Sequence, residues 1–139
     1  MIAVKEDLTR YIPQREPMMM IDRLVEADDD HAVTRFRILP DNVFVAEGKF
    51  REPGLIENIA QTAAAQAGYL FIKNSLPVPI GYIAKINNLA IAELPLVGSE
   101  INTTIRITNN VLDITIISGE VIWHDRLICQ CEMSIFVKK

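Results

Sequence analysis

Cysteine and histidine are scarce in this 139-residue chain, with two of each. Cys129 and Cys131 lie two apart in a strand-like run. Side chains at that spacing share one strand face, and neither a metal-ligand set nor a disulfide follows from it. Both are expected to be reduced packing residues, and no metal or cofactor is expected. Blocks of Lys or Arg are also missing, and the formal net charge is -4. Nucleic-acid binding needs clustered cations, so that class of function is excluded. Unbroken long apolar runs are lacking too. The best candidate for a membrane span, residues 54–72, is interrupted by Glu57, Asn58, Gln61, Thr62 and Gln66, and such groups are expensive inside a bilayer. Near the N-terminus, Lys5, Glu6, Asp7 and Arg10 stand where a signal peptide would need an apolar core. The expectation is a cytoplasmic protein with no membrane segment.

Half of the residues are apolar and 23% are charged, which suits a single compact domain over residues 1–139. A short amphipathic start over residues 4–11 leads, past Pro13 and Pro17, into a first strand candidate, "MMMIDRLVE". Asp28, Asp29 and Asp30 form a polar turn. "HAVTRFRIL" follows and should pair back, with His31 and either Thr34 or Arg35 turned outward. An irregular charged segment over residues 40–53 ends at Pro53 and Gly54, which punctuate the start of a long helix.

That helix, in "KFREPGLIENIAQTAAAQAGYLFIK", is apolar nearly all round, yet is expected to carry Glu57 in its first turn. Ala60, Ala63, Ala64, Ala65 and Ala67 keep several faces small, so a sheet or helix can approach closely. Four further strand-like runs follow. Asn109 and Asn110 supply one hairpin signal, because Asn tolerates positive φ, and His124 with Asp125 mark another turn. Strand and helix do not alternate, so the class is α+β: one long helix lying across a curved antiparallel sheet. A sheet of this kind leaves an exposed edge, and a homodimer at least is expected.

Three separated stretches then resemble the hotdog-fold family, and within it the bacterial 3-hydroxyacyl-(acyl-carrier-protein) dehydratases. "IPQREPMMMIDRLVE" is similar to the family's opening Pro-His-Arg-x-Pro segment through Pro13, Arg15, Pro17, Asp22 and Arg23. "PGLIENIAQTAA" is similar to its central-helix motif through Pro53, Gly54, Glu57, Ala60 and Gln61. "GEVIWHDRLICQCEMSIFV" resembles its closing strand pair, with Glu132 and Met133. The resemblance implies a hotdog fold and an acyl thioester of acyl-carrier protein or coenzyme A as substrate. It also implies a dimer, or a trimer of dimers. It further implies a catalytic pair, a helix carboxylate and a histidine in a Gly-His-Phe-Pro-Gly loop. Here that loop reads "EGKFREPG": Lys49 stands in the histidine's place, and His31 and His124 lie far from it in sequence.

Dehydration of a 3-hydroxyacyl thioester removes a proton α to the carbonyl, delivers one to the departing hydroxyl and gathers charge on the thioester oxygen. Glu57 is the candidate acid. Backbone N–H groups near Gly54 and Leu55, at the positive end of the helix dipole, are candidates for the oxygen. Asn58 and Gln61 are expected to bond Glu57 or to line the site; Gln61, four residues on, shares its face. Glu47 and Glu52 flank Lys49, which therefore suits an ion pair or a carrier's phosphate better than proton abstraction. Three functions stay open: a dehydratase without the usual histidine, a thioesterase using Glu57, and an acyl-binding or partner subunit without catalysis of its own.

Overall fold

The computed structural model describes residues 1–138. A short strand β1 (Ala3–Val4) runs into a 3-10 helix over Lys5–Arg10. Strands β2 (Arg23–Ala27) and β3 (His31–Arg37) form a hairpin across the Asp28–Asp30 turn, as expected. A small two-stranded ribbon, β4 (Val45–Ala46) with β5 (Lys49–Phe50), occupies the segment expected to be irregular. Next come the helix α1 (Glu52–Lys73) and four long strands: β6 (Ile80–Ile91), β7 (Glu100–Val111), β8 (Ile114–Trp123) and β9 (Arg126–Lys138). The main sheet has the order β1-β2-β3-β7-β8-β9-β6, every neighbouring pair antiparallel. This is the α+β hotdog arrangement. No helix among the described residues is long and apolar enough to cross a membrane.

Helix α1 starts where its sequence says it should. Arg51 is extended and Pro53 sits in the first turn, where its missing N–H costs nothing. The helix stops at Asn74, whose side chain donates to the Leu70 carbonyl at 2.8 Å, and the left-handed Ser75 turns the chain away. Because the helix begins at Glu52, Glu57 lies in its second turn, and Glu52 is the acid of the first. Stabilisation by the helix dipole, which fades within one turn, therefore falls on Glu52 and not on Glu57.

Close approach to the helix occurs at two glycines, one on the sheet and one on the helix itself. Gly119 on β8 lies against Ile59, and Gly68 on α1 lies against the backbone of Tyr11. Leu24, Ile38, Phe50, Leu55, Ile59, Ile101, Ile105 and Ile117 fill the core between the layers. Two expectations need correction. The hairpin joining β7 to β8 turns at Leu112 and Asp113, with Val111 opposite Ile114. Asn109 and Asn110 lie inside β7 beside a register shift, and the Asn110 side chain accepts from the Thr115 hydroxyl at 2.8 Å across the ladder. Of the two outward alternatives Arg35 is the exposed one, and Thr34 points inward, fully buried, because its hydroxyl pairs with that of Thr62 at 2.7 Å.

Strand β6 forms one edge of the sheet and exposes Ile80, Tyr82, Ile83 and Leu89. A twelve-residue apolar edge of this kind is a template for another strand.

Gly68→Ala tests the close approach. Helix propensity favours Ala by up to about 1 kcal/mol. The new Cβ would strike the Tyr11 carbonyl, which cannot rotate away. The net expectation is a loss of about 1–2 kcal/mol in urea unfolding; unchanged stability would mean that the segment after Tyr11 yields freely.

Candidate active site

The polar residues of α1 sort onto two adjoining stripes. Asn58, Gln61, Thr62 and Gln66 are buried and turn towards β2, β3, β7 and the chain leading into β2. Ala60, Ala63, Ala64 and Ala67, at the spacing of one helix face, turn towards the half of the sheet that the helix does not cover. Glu57 belongs to both: it is four residues before Gln61 and three before Ala60.

Gln61 fixes the carboxylate. Its Nε2 donates to the Met18 carbonyl and to Glu57 Oε2, each at 2.7 Å. Its Oε1 accepts the Met20 N–H at 2.7 Å. With both amide protons and the oxygen engaged, the side chain has one orientation. Asn58 does not touch Glu57. It donates to the Met20 carbonyl at 2.7 Å and accepts from the Thr103 hydroxyl, so it serves the same anchor from one turn nearer the helix start. Thr62 closes the network, donating to the Asn58 carbonyl at 2.8 Å beside its contact with Thr34. Met19 and Met20 are buried as ordinary core, while Met18 is partly exposed.

Beside this stripe lies a cavity of about 270 Å³. Glu57 and the four alanines form its helix wall; Ile107, Thr115, Ile117, Ile135 and Val137 form the sheet wall; Gln14, Pro79 and the β6 residues Gly81, Tyr82 and Ile83 complete it. Alanine side chains are too short to fill the gap between the layers, and the gap is the cavity. A second hollow of about 210 Å³ adjoins it. The two share Gln66, Ala67, Ile107, Thr115 and Val137, and the second extends to Leu70, Phe71 and Leu112. From Glu57 to Phe71 the helix rises roughly 20 Å.

The remaining sequence candidates stand apart from this cavity. Gly54 lies under Phe50 and Leu55 is wholly buried. The N–H groups of Gly54 and Leu55 both point to the Arg51 carbonyl, at 2.9 and 3.3 Å, so the free donors expected there are already engaged. Lys49 is exposed and lines a different depression with Glu52, Glu93 and Leu96. Glu52, one of the two carboxylates expected to flank it, pairs with Arg51 at 3.0 Å, and Glu93 in the same depression pairs with Arg126 at 3.0 Å. His31 bonds Asp28 at 2.8 Å, and His124 sits in the β8–β9 turn against Trp123. Burial pushes the thiols up, Cys129 to about 12 and Cys131 to about 11, which leaves neither a nucleophile at neutral pH. Two residues of the cavity were not among the sequence candidates: Gln14, which stands where the opening Pro-His-Arg-x-Pro segment has its histidine, and Tyr82, which no local motif marks.

A carboxylate held at one oxygen by a buried amide, at the head of an apolar slot, suits a ligand with a polar head and a long apolar tail. Whole-chain comparison gives the same direction. A sequence model described as ApeP-like, ApeP dehydratase, matches residues 6–139. The chain belongs to the ApeP-like dehydratase family. Among curated relatives of this ApeP-like chain, the 3-hydroxyacyl-(acyl-carrier-protein) dehydratase FabZ of Coxiella burnetii is 24% identical over 136 residues, 91% of this chain and 94% of that protein. Among solved structures, a chain of the dehydratase heterocomplex ApeI:P from Xenorhabdus doucetiae superposes with a TM-score of 0.88 at 14% identity, over 95% of this chain and 91% of that one. A hypothetical thioesterase with coenzyme A from Streptococcus pneumoniae reaches 0.68 at 10% identity, over 84% of each chain. At these identities the structural likenesses show the hotdog fold, and the family rests on the sequence match.

The network predicts a contrast between neighbours. Gln61→Met orphans the Met20 N–H and the Met18 carbonyl and should cost about 2–4 kcal/mol in urea unfolding. Glu57→Gln keeps an acceptor for Gln61 and should stay within about 1 kcal/mol of the parent. Equal losses would make Glu57 a structural residue.

Proposed function

We propose that this protein binds 3-hydroxyacyl thioesters in the Glu57 cavity and takes part in their dehydration, in fatty-acid or related acyl-chain biosynthesis, as one subunit of a hotdog oligomer. The observation that carries the reading is the placement of Glu57, clamped through Oε2 and with Oε1 free of protein partners, at the head of an alanine-walled slot. The acyl chain lies along α1 towards Leu70 and Phe71. The carrier, acyl-carrier protein or coenzyme A, stays outside. The setting is cytoplasmic.

In the reaction, a base takes the proton from the carbon α to the thioester carbonyl, the C–C double bond forms, and the bond from the next carbon to its hydroxyl breaks. Glu57 acts as the acid, its proton joining the departing hydroxyl to make water; exchange with solvent then restores acid and base. Among the described residues, Glu57 is the one carboxyl group at the cavity, and no histidine or lysine lines it. His31 and His124 are committed elsewhere, and Lys49 faces another depression. The base and the donors for the thioester oxygen therefore come from a second hotdog chain seated on β6. That strand suits the role because Gly81, Tyr82 and Ile83 belong at once to the exposed edge and to the cavity wall, so a strand added there closes the mouth. The ApeI:P heterocomplex, a pairing of two dehydratase chains by its name, is consistent with such an arrangement.

The test incubates a 3-hydroxyacyl-pantetheine thioester with the tagged protein, alone and as isolated from its own cells with any companion hotdog chain. Mass spectrometry then follows loss of water and release of free acid together. Expected is water loss by the complex, falling at least a hundredfold with Glu57→Gln. Free acid that disappears in the same variant would establish a thioesterase instead. Water loss that survives Glu57→Gln would remove Glu57 from the chemistry.

A further inference from the structure

The cavity contains one polar side chain whose presence the fold does not explain. Gln14 Oε1 is buried and without a hydrogen-bond partner, and Gln14 lines the cavity with Glu57. A buried carbonyl oxygen left unpaired is costly, and native proteins leave few of them. In the same cavity Gln66 donates to the Asp28 carbonyl at 2.9 Å and the Thr115 hydroxyl to Asn110 at 2.8 Å, while Tyr82 is exposed on the edge strand. Nor is Gln14 loosely placed. The neighbouring Arg15 donates to the Ile12, Gln14 and Thr9 carbonyls at 2.7, 2.9 and 3.2 Å, and the close contact of Gly68 with Tyr11 presses this segment onto α1.

An unpaired amide oxygen and a carboxyl group thus line the same slot. We propose that Gln14 is the specificity residue for the substrate's 3-hydroxyl, accepting its O–H proton while Glu57 delivers a proton to the same oxygen; this rests on the acyl-thioester reading above. Held from both sides, the hydroxyl has its C–O bond directed for departure as water, which keeps its hydrogen bond to Gln14 as it leaves. A site built to bond a hydroxyl discriminates against the ligand that lacks it, because the buried acceptor is then left unpaired.

The experiment is titration calorimetry with two ligands in which an amide replaces the thioester: 3-hydroxyoctanoyl-pantetheine amide and octanoyl-pantetheine amide. The parent protein should bind the hydroxylated ligand about tenfold more tightly. Gln14→Met, close to glutamine in size and without the acceptor, should abolish that preference while leaving the octanoyl affinity within about twofold. Gln14→Asn withdraws the amide by one methylene and should do the same, which keeps the test open if the first variant folds poorly. Equal binding of the two ligands by the parent, or a preference that survives both substitutions, overturns the assignment to Gln14. Binding of neither ligand by the parent overturns the acyl-thioester reading itself, a distinct result.

Discussion

The amide of Gln61 is the constraint on which the site depends. It spans the extended chain at Met18 and Met20 on one side and the Glu57 carboxylate on the other, with every hydrogen-bonding position used. A buried amide so engaged is rigid, because any rotation would leave donors and acceptors unpaired in a medium where that is costly. Asn58, one turn nearer the helix start, repeats the device on the Met20 carbonyl and ties it to β7 through Thr103. The chain before β2 is thereby locked to the helix, and Glu57 is carried to the boundary between the packed and the hollow side of α1.

From that boundary the rest follows by subtraction. Helix α1 packs over β2, β3, β7 and β8. Towards β9 and β6 it offers four alanines between Glu57 and Gln66, and the volume the alanines leave is the slot. The slot borders an edge strand, so the feature that makes the chain prone to association also leaves its site open. A strand added along β6 would therefore also close the slot.

Much of this was legible in the sequence. The spacing of Glu57 and Gln61 announced their contact, and Pro53 with Gly54 announced the helix start to within two residues. His124 and Asp125 announced their turn, and each now has positive φ. Other features were hidden for physical reasons. Thr34 reads as an outward residue because its inward partner, Thr62, lies 28 positions away. Asn109 and Asn110 mimic a turn, but a register shift moves the hairpin tip to Leu112, a residue with no turn preference. The alanines read as an invitation to close packing. Ala65 is fully buried in that way, but Ala60, Ala63, Ala64 and Ala67 wall a cavity, a difference that depends on where the sheet lies. Gln14 stands inside the opening motif, at its histidine position, but its meaning comes from the cavity it borders.

The most direct measurement is a crystal structure of the protein, with its companion chain where one is recovered, bound to a 3-hydroxyacyl-pantetheine amide. The account predicts the hydroxyl within hydrogen-bond distance of Glu57 and the acyl chain running along Ala60, Ala64 and Ala67 towards Phe71. A ligand seated instead in the depression beside Lys49, or an alanine-walled slot filled by side chains of the partner, would contradict it.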